Sequence, residues 1–489
     1  MLIQRLPALV AAGTIGLLGS VSPGLGQPTF SPSPCGFFVP PGERATCGML
    51  NTAGPADPSA PRLFLAILHS VGENPAPDPV IWLMGGPGDP AFQDDSAEDW
   101  WPLTAAFRRQ RDVIVFDARG VGRSEPSLDC PDPTPADRAI NTLEADPLAA
   151  EVVRLRACGE SLIAQGIDFS EFRLPNHAAD VVRIARTFGH AEVNLVALSY
   201  GTRVALQVIR EAPDLVRAAV LDGPYPSNVN ALVEAPVVRA GVFDLLFSDC
   251  QIDWRCRAAI GDLRQHFEAM IAWLVEGNAV VTRWAGSDGP VDVLVTPGDV
   301  IDALILMAGD SNTLPLMPRA IRSGGAGDLR RMIPFLTGGP GAGSVDNEGV
   351  TLSAECSEDW AYADATGYAR NVAANTPFSS GHAVSIAWAV CRDWPVVAVE
   401  PRLRAPVAAD TPILALVGSY DPITPPSWAY SLARTLPNLE ILEMASGSHG
   451  LLGRFACVTT AAAAFLDMPD QPTAGLCRDR TRPPRFALE

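Results

Sequence analysis

Short unbroken apolar runs alternate along this chain with stretches whose apolar positions recur every three or four residues. Val80-Ile81-Trp82-Leu83-Met84, Asp112 to Asp117, Val193 to Leu198, Arg217 to Asp222, Pro412 to Val417 and Leu439 to Met444 are the runs. Each has the length of a strand buried on both faces, and most end in a glycine-rich turn. Arg62 to His69 alternates and predicts a further strand. Asn176 to Phe188 places Val181, Val182, Ile184, Ala185 and Phe188 at helical spacing, and Gly201 to Ala212 predicts a helix that stops before Pro213. Buried strands alternating with helices predict an α/β fold with a mostly parallel central sheet and helices on both faces. The rhythm breaks near Ser227 and resumes near Pro412. From 227 to 399 the pattern is helical and rich in Trp, with a Gly/Pro-rich loop from Ser323 to Gly349. The expected organisation is therefore a core in two parts, 27–226 and 400–489, separated by a helical cap at 227–399. Gln27 to Pro61, rich in Pro and Gly, reads as an extended leader stapled by two Cys.

The N-terminus changes the picture. Arg5 precedes an apolar run from Leu6 to Val21 and the small-residue stretch Ser22 to Gln27. This is the layout of a secretory signal over 1–26, and it predicts export to the periplasm or the extracellular space. The apolar run is short for a membrane span, and no stable membrane insertion is expected. In an oxidising compartment the ten Cys are expected to form disulfides. The favoured pairing joins sequence neighbours: 35–47, 130–158, 250–256, 356–391 and 457–477. No C-x-x-C occurs and the six His are scattered, so no metal site is expected.

Charge excludes more than it assigns. The chain carries 36 basic and 55 acidic residues, a formal balance of −19, and every basic residue is Arg. Without Lys there is no Schiff-base, pyridoxal-phosphate or P-loop lysine chemistry. The acidic balance argues against nucleic acid as a partner, since that affinity rests on cations neutralising phosphates.

The central motif is Val196-Ala197-Leu198-Ser199-Tyr200-Gly201-Thr202, set between a predicted strand and a predicted helix. A sharp strand-turn-helix presents a serine hydroxyl beside a helix N-terminus and needs small neighbours on both sides. Ala197 replaces the usual first glycine of G-x-S-x-G. Serine needs a base, and the base an orienting acid, in the chain order Ser, acid, His for this type of turn. Asp421 follows the strand ending at Val417, and His449 follows the strand ending at Met444. The remaining histidines, 69, 177, 190, 266 and 382, lack such a strand-end position. Asp222, in Leu221-Asp222-Gly223-Pro224, is a rival acid; Asp421 is preferred because it follows the later strand and precedes a Pro-rich loop. Acyl transfer also needs two N–H donors for the oxyanion. Tyr200 and Gly86, in Gly85-Gly86-Pro87-Gly88, are the candidates. Gly338-Gly339-Pro340-Gly341 repeats the tetrapeptide but follows no long apolar strand, and reads as a loop.

Four stretches together carry a resemblance: Gly85-Gly86-Pro87-Gly88; Asp117-Ala118-Arg119-Gly120-Val121-Gly122-Arg123-Ser124; Ser199-Tyr200-Gly201-Thr202 with Leu221-Asp222-Gly223; and Asp421 with His449. The chain resembles the prolyl and tripeptidyl aminopeptidases among the α/β-hydrolases. Met84 stands where these usually have His, and Ala118 where Gln is common. The resemblance implies the α/β-hydrolase fold and a serine exopeptidase that needs no cofactor. Its substrates would be peptides with a free N-terminus, whose ammonium meets acidic residues of the cap. It points to Glu358, two positions after Cys356, with Glu355 beside it, pinned by a Cys356–Cys391 bond. An esterase or an amide or lactone hydrolase could use the same machinery, because fold does not fix substrate. A non-catalytic binding protein on this fold would normally lack a triad member, and none is missing.

Overall fold

The computed structural model describes residues 28–488 apart from 54–56, 58–59, 93–95, 131–146, 278, 285–289, 337–346 and 379–381. The proposed signal segment and the second GGPG lie outside the described residues.

The strands follow in chain order: β1 (Thr29–Ser33), β2 (Ala45–Asn51), β3 (Arg62–Leu68), β4 (Val80–Leu83), β5 (Val113–Phe116), β6 (Val193–Leu198), β7 (Val216–Asp222), a hairpin of β8 (Val280–Trp284) and β9 (Pro290–Leu294), then β10 (Ile413–Gly418) and β11 (Leu439–Met444). All but the hairpin form one nine-stranded sheet in the order β1-β2-β3-β5-β4-β6-β7-β10-β11. β1, β2, β3 and β5 pair antiparallel in succession. From β5 through β4, β6, β7 and β10 to β11 every pairing is parallel.

Each parallel strand sends alternate residues to opposite faces, and both faces are covered. Ile81, Leu83, Leu195, Ala197 and Leu221 pack with the helices Leu174–Thr187 and Tyr200–Glu211. Val80, Trp82, Val196, Val220 and Leu416 pack on the other side with Trp100, Trp101 and the helix Ala456–Asp467. This is why these strands read as continuous apolar runs.

The stretch between β7 and β10 is mainly helical. Its longest helix, Ala231–Ile252, packs with Leu263–Val275, Pro297–Gly309 and Met317–Gly325 around Phe243, Phe267 and Leu304. Three local expectations change. The leader at Gln27 to Pro61 contains β1 and β2. The loop expected from Ser323 to Gly349 begins inside Met317–Gly325 and holds a short helix, Ile333–Leu336. Helix Pro147–Ala164 lies outside the elements predicted above, yet its buried Val152, Leu155, Cys158 and Leu162 carry the helical spacing that would have signalled it. All five disulfides join the sequence neighbours expected. No described helix is long and apolar enough to cross a membrane.

Candidate active site

Ser199 caps the C-terminal end of β6 with φ 54° and ψ −122°, the one non-glycine residue with positive φ among those described. Such a backbone costs about 1–3 kcal/mol and persists only where its surroundings hold it. Here its N–H donates to the Asp222 carbonyl at 2.9 Å, and its own carbonyl accepts from Thr202 N–H at 2.9 Å and Thr202 Oγ1 at 2.6 Å. Gly201 must be glycine: a Cβ there would lie 2.5 Å from the Met84 carbonyl oxygen. Ala197, the departure from the usual motif, sits inside β6 in the packed core, where a methyl fits without strain. The serine is 7% exposed.

Asp421 and His449 come from the turns after β10 and β11. His449 Nδ1 lies 2.8 Å from Asp421 Oδ2. Asp421 is fully buried, and its Oδ1 accepts from the N–H groups of Ile423 and Thr424, both at 2.8 Å. Thr424 Oγ1 donates to Asp421 Oδ2 at 2.7 Å and stands 3.1 Å from His449 Nδ1. Thr424 is a side-chain partner of this pair that the sequence does not single out; the Asp-x-x-Thr spacing is its signal. Burial disfavours a charged imidazole at His449. Asp421 beside it, with Asp222 and Asp89 further off, outweighs burial and raises its pKa.

The rival acid has a different task. The Asp222 carboxylate accepts Leu451 N–H from both oxygens, at 3.0 and 2.8 Å, and Leu452 N–H at 2.8 Å. Burial raises its pKa to about 6 despite these bonds. Asp222 thus holds the nucleophile turn through its backbone and the histidine turn through its side chain.

Gly86 and Tyr200 line one cavity of about 100 Å³ with Ser199. A Cβ on Gly85 would come within 3.1 Å of Ser199 Cβ, so the glycine loop passes directly beside the serine. Tyr200 opens its helix, and its N–H has no intrahelical acceptor.

Glu358 and Glu355 line the same cavity, but their oxygens differ in occupation. Glu358 is 1% exposed; its Oε1 accepts from Tyr200 Oη at 2.8 Å and Leu174 N–H at 3.1 Å, and its Oε2 lies 3.4 Å from Arg203 Nη1. Asp359, next in sequence, accepts from Arg203 at 3.0 Å, Tyr225 Oη at 2.6 Å and Arg404 at 3.0 Å. Two arginines therefore balance Glu358 and Asp359. The carboxylate of half-buried Glu355 has no hydrogen-bond or ion-pair partner among the described residues, and burial, then Asp359 and Glu358, push its pKa up to about 7.

A second string of similar residues is a useful contrast. Thr46 Oγ1 lies 2.8 Å from His69 Nε2, and His69 Nδ1 3.2 Å from Asp112 Oδ2. Thr46 has neither a positive φ nor a helix opening after it.

Residues 78–250 match the family described as the alpha/beta hydrolase fold, and residues 376–477 match the family described as TAP-like protein. The chain has the α/β-hydrolase fold, with a C-terminal part similar to the TAP-like family. Tripeptidyl aminopeptidase of Streptomyces lividans is 25% identical over 76% of this chain and 71% of its own length. Serine protease Hip1 of Mycobacterium tuberculosis (H37Rv) is 28% identical over 50% of this chain and 49% of its own. YuaR of Escherichia coli K12 is 31% identical over 34% of this chain, and the match spans only 32% of YuaR. Among solved structures, a proline iminopeptidase-related protein from Thermus thermophilus is 17% identical, over 88% of this chain and 95% of that one, with TM-score 0.36. The fold assignment rests on the two family matches and on the strand order.

Proposed function

We propose that this α/β hydrolase is an exported serine aminopeptidase that cleaves peptides behind a free N-terminus, with residues 227–399 as its cap. The observation that carries the reading is Glu355: a carboxylate without a cation, on the wall of the cavity that holds Ser199. A substrate ammonium supplies that missing cation. The relatives named aminopeptidase and serine protease support the same class, and the five disulfides are compatible with export.

In this reading His449 takes the Ser199 proton as Oγ bonds to the scissile carbonyl carbon. Asp421 holds the imidazole with its proton on Nδ1 and stabilises the imidazolium. The N–H groups of Gly86 and Tyr200 receive the oxyanion. The C–N bond then breaks, and His449 returns the proton to the departing amine. Water, deprotonated by His449, attacks the acyl-enzyme and frees Ser199 and the N-terminal fragment. The stacked Tyr225 and Trp428 rings, 5.2 Å apart, give the cavity an apolar side for the substrate side chain.

The test compares peptides with a free amine against their N-acetylated forms. The acetylated forms are expected to react much more slowly, and mass spectrometry of the free-amine reaction reports how many residues leave. Equal rates on both forms would exclude an aminopeptidase and leave an esterase or amide hydrolase.

A further inference from the structure

We infer that one helix of the inserted segment, Glu348–Glu358, braces both halves of the oxyanion hole, with Thr351 and Glu358 as its positioning residues. The inference rests on the serine-hydrolase reading above and deepens it.

The helix touches the two donor segments at its two ends. At its N-terminal end Asn347, the capping residue, donates its backbone N–H to the Gly88 carbonyl at 3.0 Å. One turn in, Thr351 Oγ1 donates to the Pro87 carbonyl. A Cβ on Gly88 would lie 2.7 Å from that hydroxyl, so loop and helix are in direct contact. These bonds fix the loop whose Gly86 N–H is one proposed donor. At the C-terminal end Glu358 accepts from the Tyr200 hydroxyl at 2.8 Å, and Tyr200 N–H is the other donor. The ends of the helix are fixed independently of the site. Asn347 Nδ2 donates to the Gly120 carbonyl at 2.8 Å, and Cys356 is bonded to Cys391. The two donors come from separate loops of the core, and this rigid helix sets the distance between them.

Glu358 is thereby removed from the ammonium site and placed behind the oxyanion hole. Its oxygens are already committed to Tyr200, Leu174 and Arg203, and a substrate cation would have to displace one of them. A carboxylate that acts through Tyr200 affects every acyl substrate alike. One that binds the ammonium affects only substrates that carry an amine.

Thr351→Val and Tyr200→Phe remove single hydroxyls and keep side-chain shape, so both variants are expected to fold. Deleting a whole oxyanion donor costs about 10²–10³ in kcat; losing one brace, which shifts the donor without removing it, is expected to cost about tenfold. The loss should fall on kcat, with KM within about twofold, equally for free-amine and N-acetylated substrates. Affinity for a peptidyl boronic acid, which forms a tetrahedral adduct on serine, should fall by the same factor as kcat. If both variants melt at lower temperature but keep kcat and boronate affinity within about twofold, the helix is only a structural support and the inference fails. If the loss appears only with free-amine substrates, the inference also fails and the cap end belongs to the ammonium site. If the unaltered enzyme takes no fluorophosphonate label on Ser199, the hydrolase reading itself is wrong, an outcome distinct from both.

Discussion

Two pairs of carboxylates border the site, one on the core sheet and one on the inserted segment, and they divide their work in the same way. On the sheet, Asp222 has its oxygens filled by the backbone of Leu451 and Leu452, while Asp421 faces His449. On the inserted segment, Glu358 is filled by Tyr200, Leu174 and Arg203, while the Glu355 carboxylate has no hydrogen-bond or ion-pair partner among the described residues. In each pair one member is committed to holding the site together, and the other is the one that the proposed reaction uses. The pairs differ in what that second member faces. Asp421 meets a protein side chain. The Glu355 carboxylate lines the cavity without a cation, and in the proposed reading its partner arrives with the substrate.

The comparison is tested most severely at the sheet pair. Asp421→Asn should lower kcat by about 10⁴, because His449 loses the partner that fixes its tautomer. Asp222→Asn should lower kcat by about tenfold or less and instead cost about 1–3 kcal/mol of stability, read as a lower Tm, because backbone N–H groups lose acceptors. The reverse ranking would exchange their roles.

At the inserted pair, Glu355→Gln should raise KM for free-amine peptides by about 10- to 100-fold, the worth of one charged hydrogen bond. It should leave N-acetylated substrates unaffected.

The pH profile gives a smaller and more specific signature. An ammonium is held by ionised Glu355, so kcat/KM for free-amine substrates should rise through about pH 7, where that carboxyl loses its proton. It should fall again as the substrate amine deprotonates near a pKa of about 8. His449 acts as a base only when neutral, and its raised pKa places that limb above the ordinary histidine value for every substrate. N-acetylated substrates and Glu355→Gln should show the histidine limb alone. In Glu355→Gln a remaining difference between the profiles of free-amine and N-acetylated substrates would show that another group holds the ammonium.

The smallest catalytic effect is expected at Cys356 and Cys391, which close a 35-residue separation. Replacing both with Ala should cost about 3 kcal/mol of stability. The effect on kcat should not exceed that of Thr351→Val.

The inner parallel strands β4, β5, β6, β7 and β10 were legible because both faces of each are buried, which leaves a mostly apolar run. β1 did not stand out: Thr29–Ser33 is an edge strand, largely exposed, with a proline inside it. The serine, acid and histidine were legible because strand ends and chain order constrain them. Glu355 and Glu358 were legible as a pair but not in their division of labour. That depends on Tyr200, Leu174 and Arg203, which are far away in sequence and unmarked by any local pattern. Thr351 was invisible for the same reason: its meaning lies in a carbonyl 264 residues earlier.

The central claim is that Ser199 is the activated nucleophile, and a fluorophosphonate probe with the adduct mapped by mass spectrometry tests it most directly. A single adduct on Ser199 is expected, absent in Ser199→Ala and much slower to form in Asp421→Asn. No adduct, or an adduct at Thr46 or another hydroxyl with Ser199 unmodified, would contradict it.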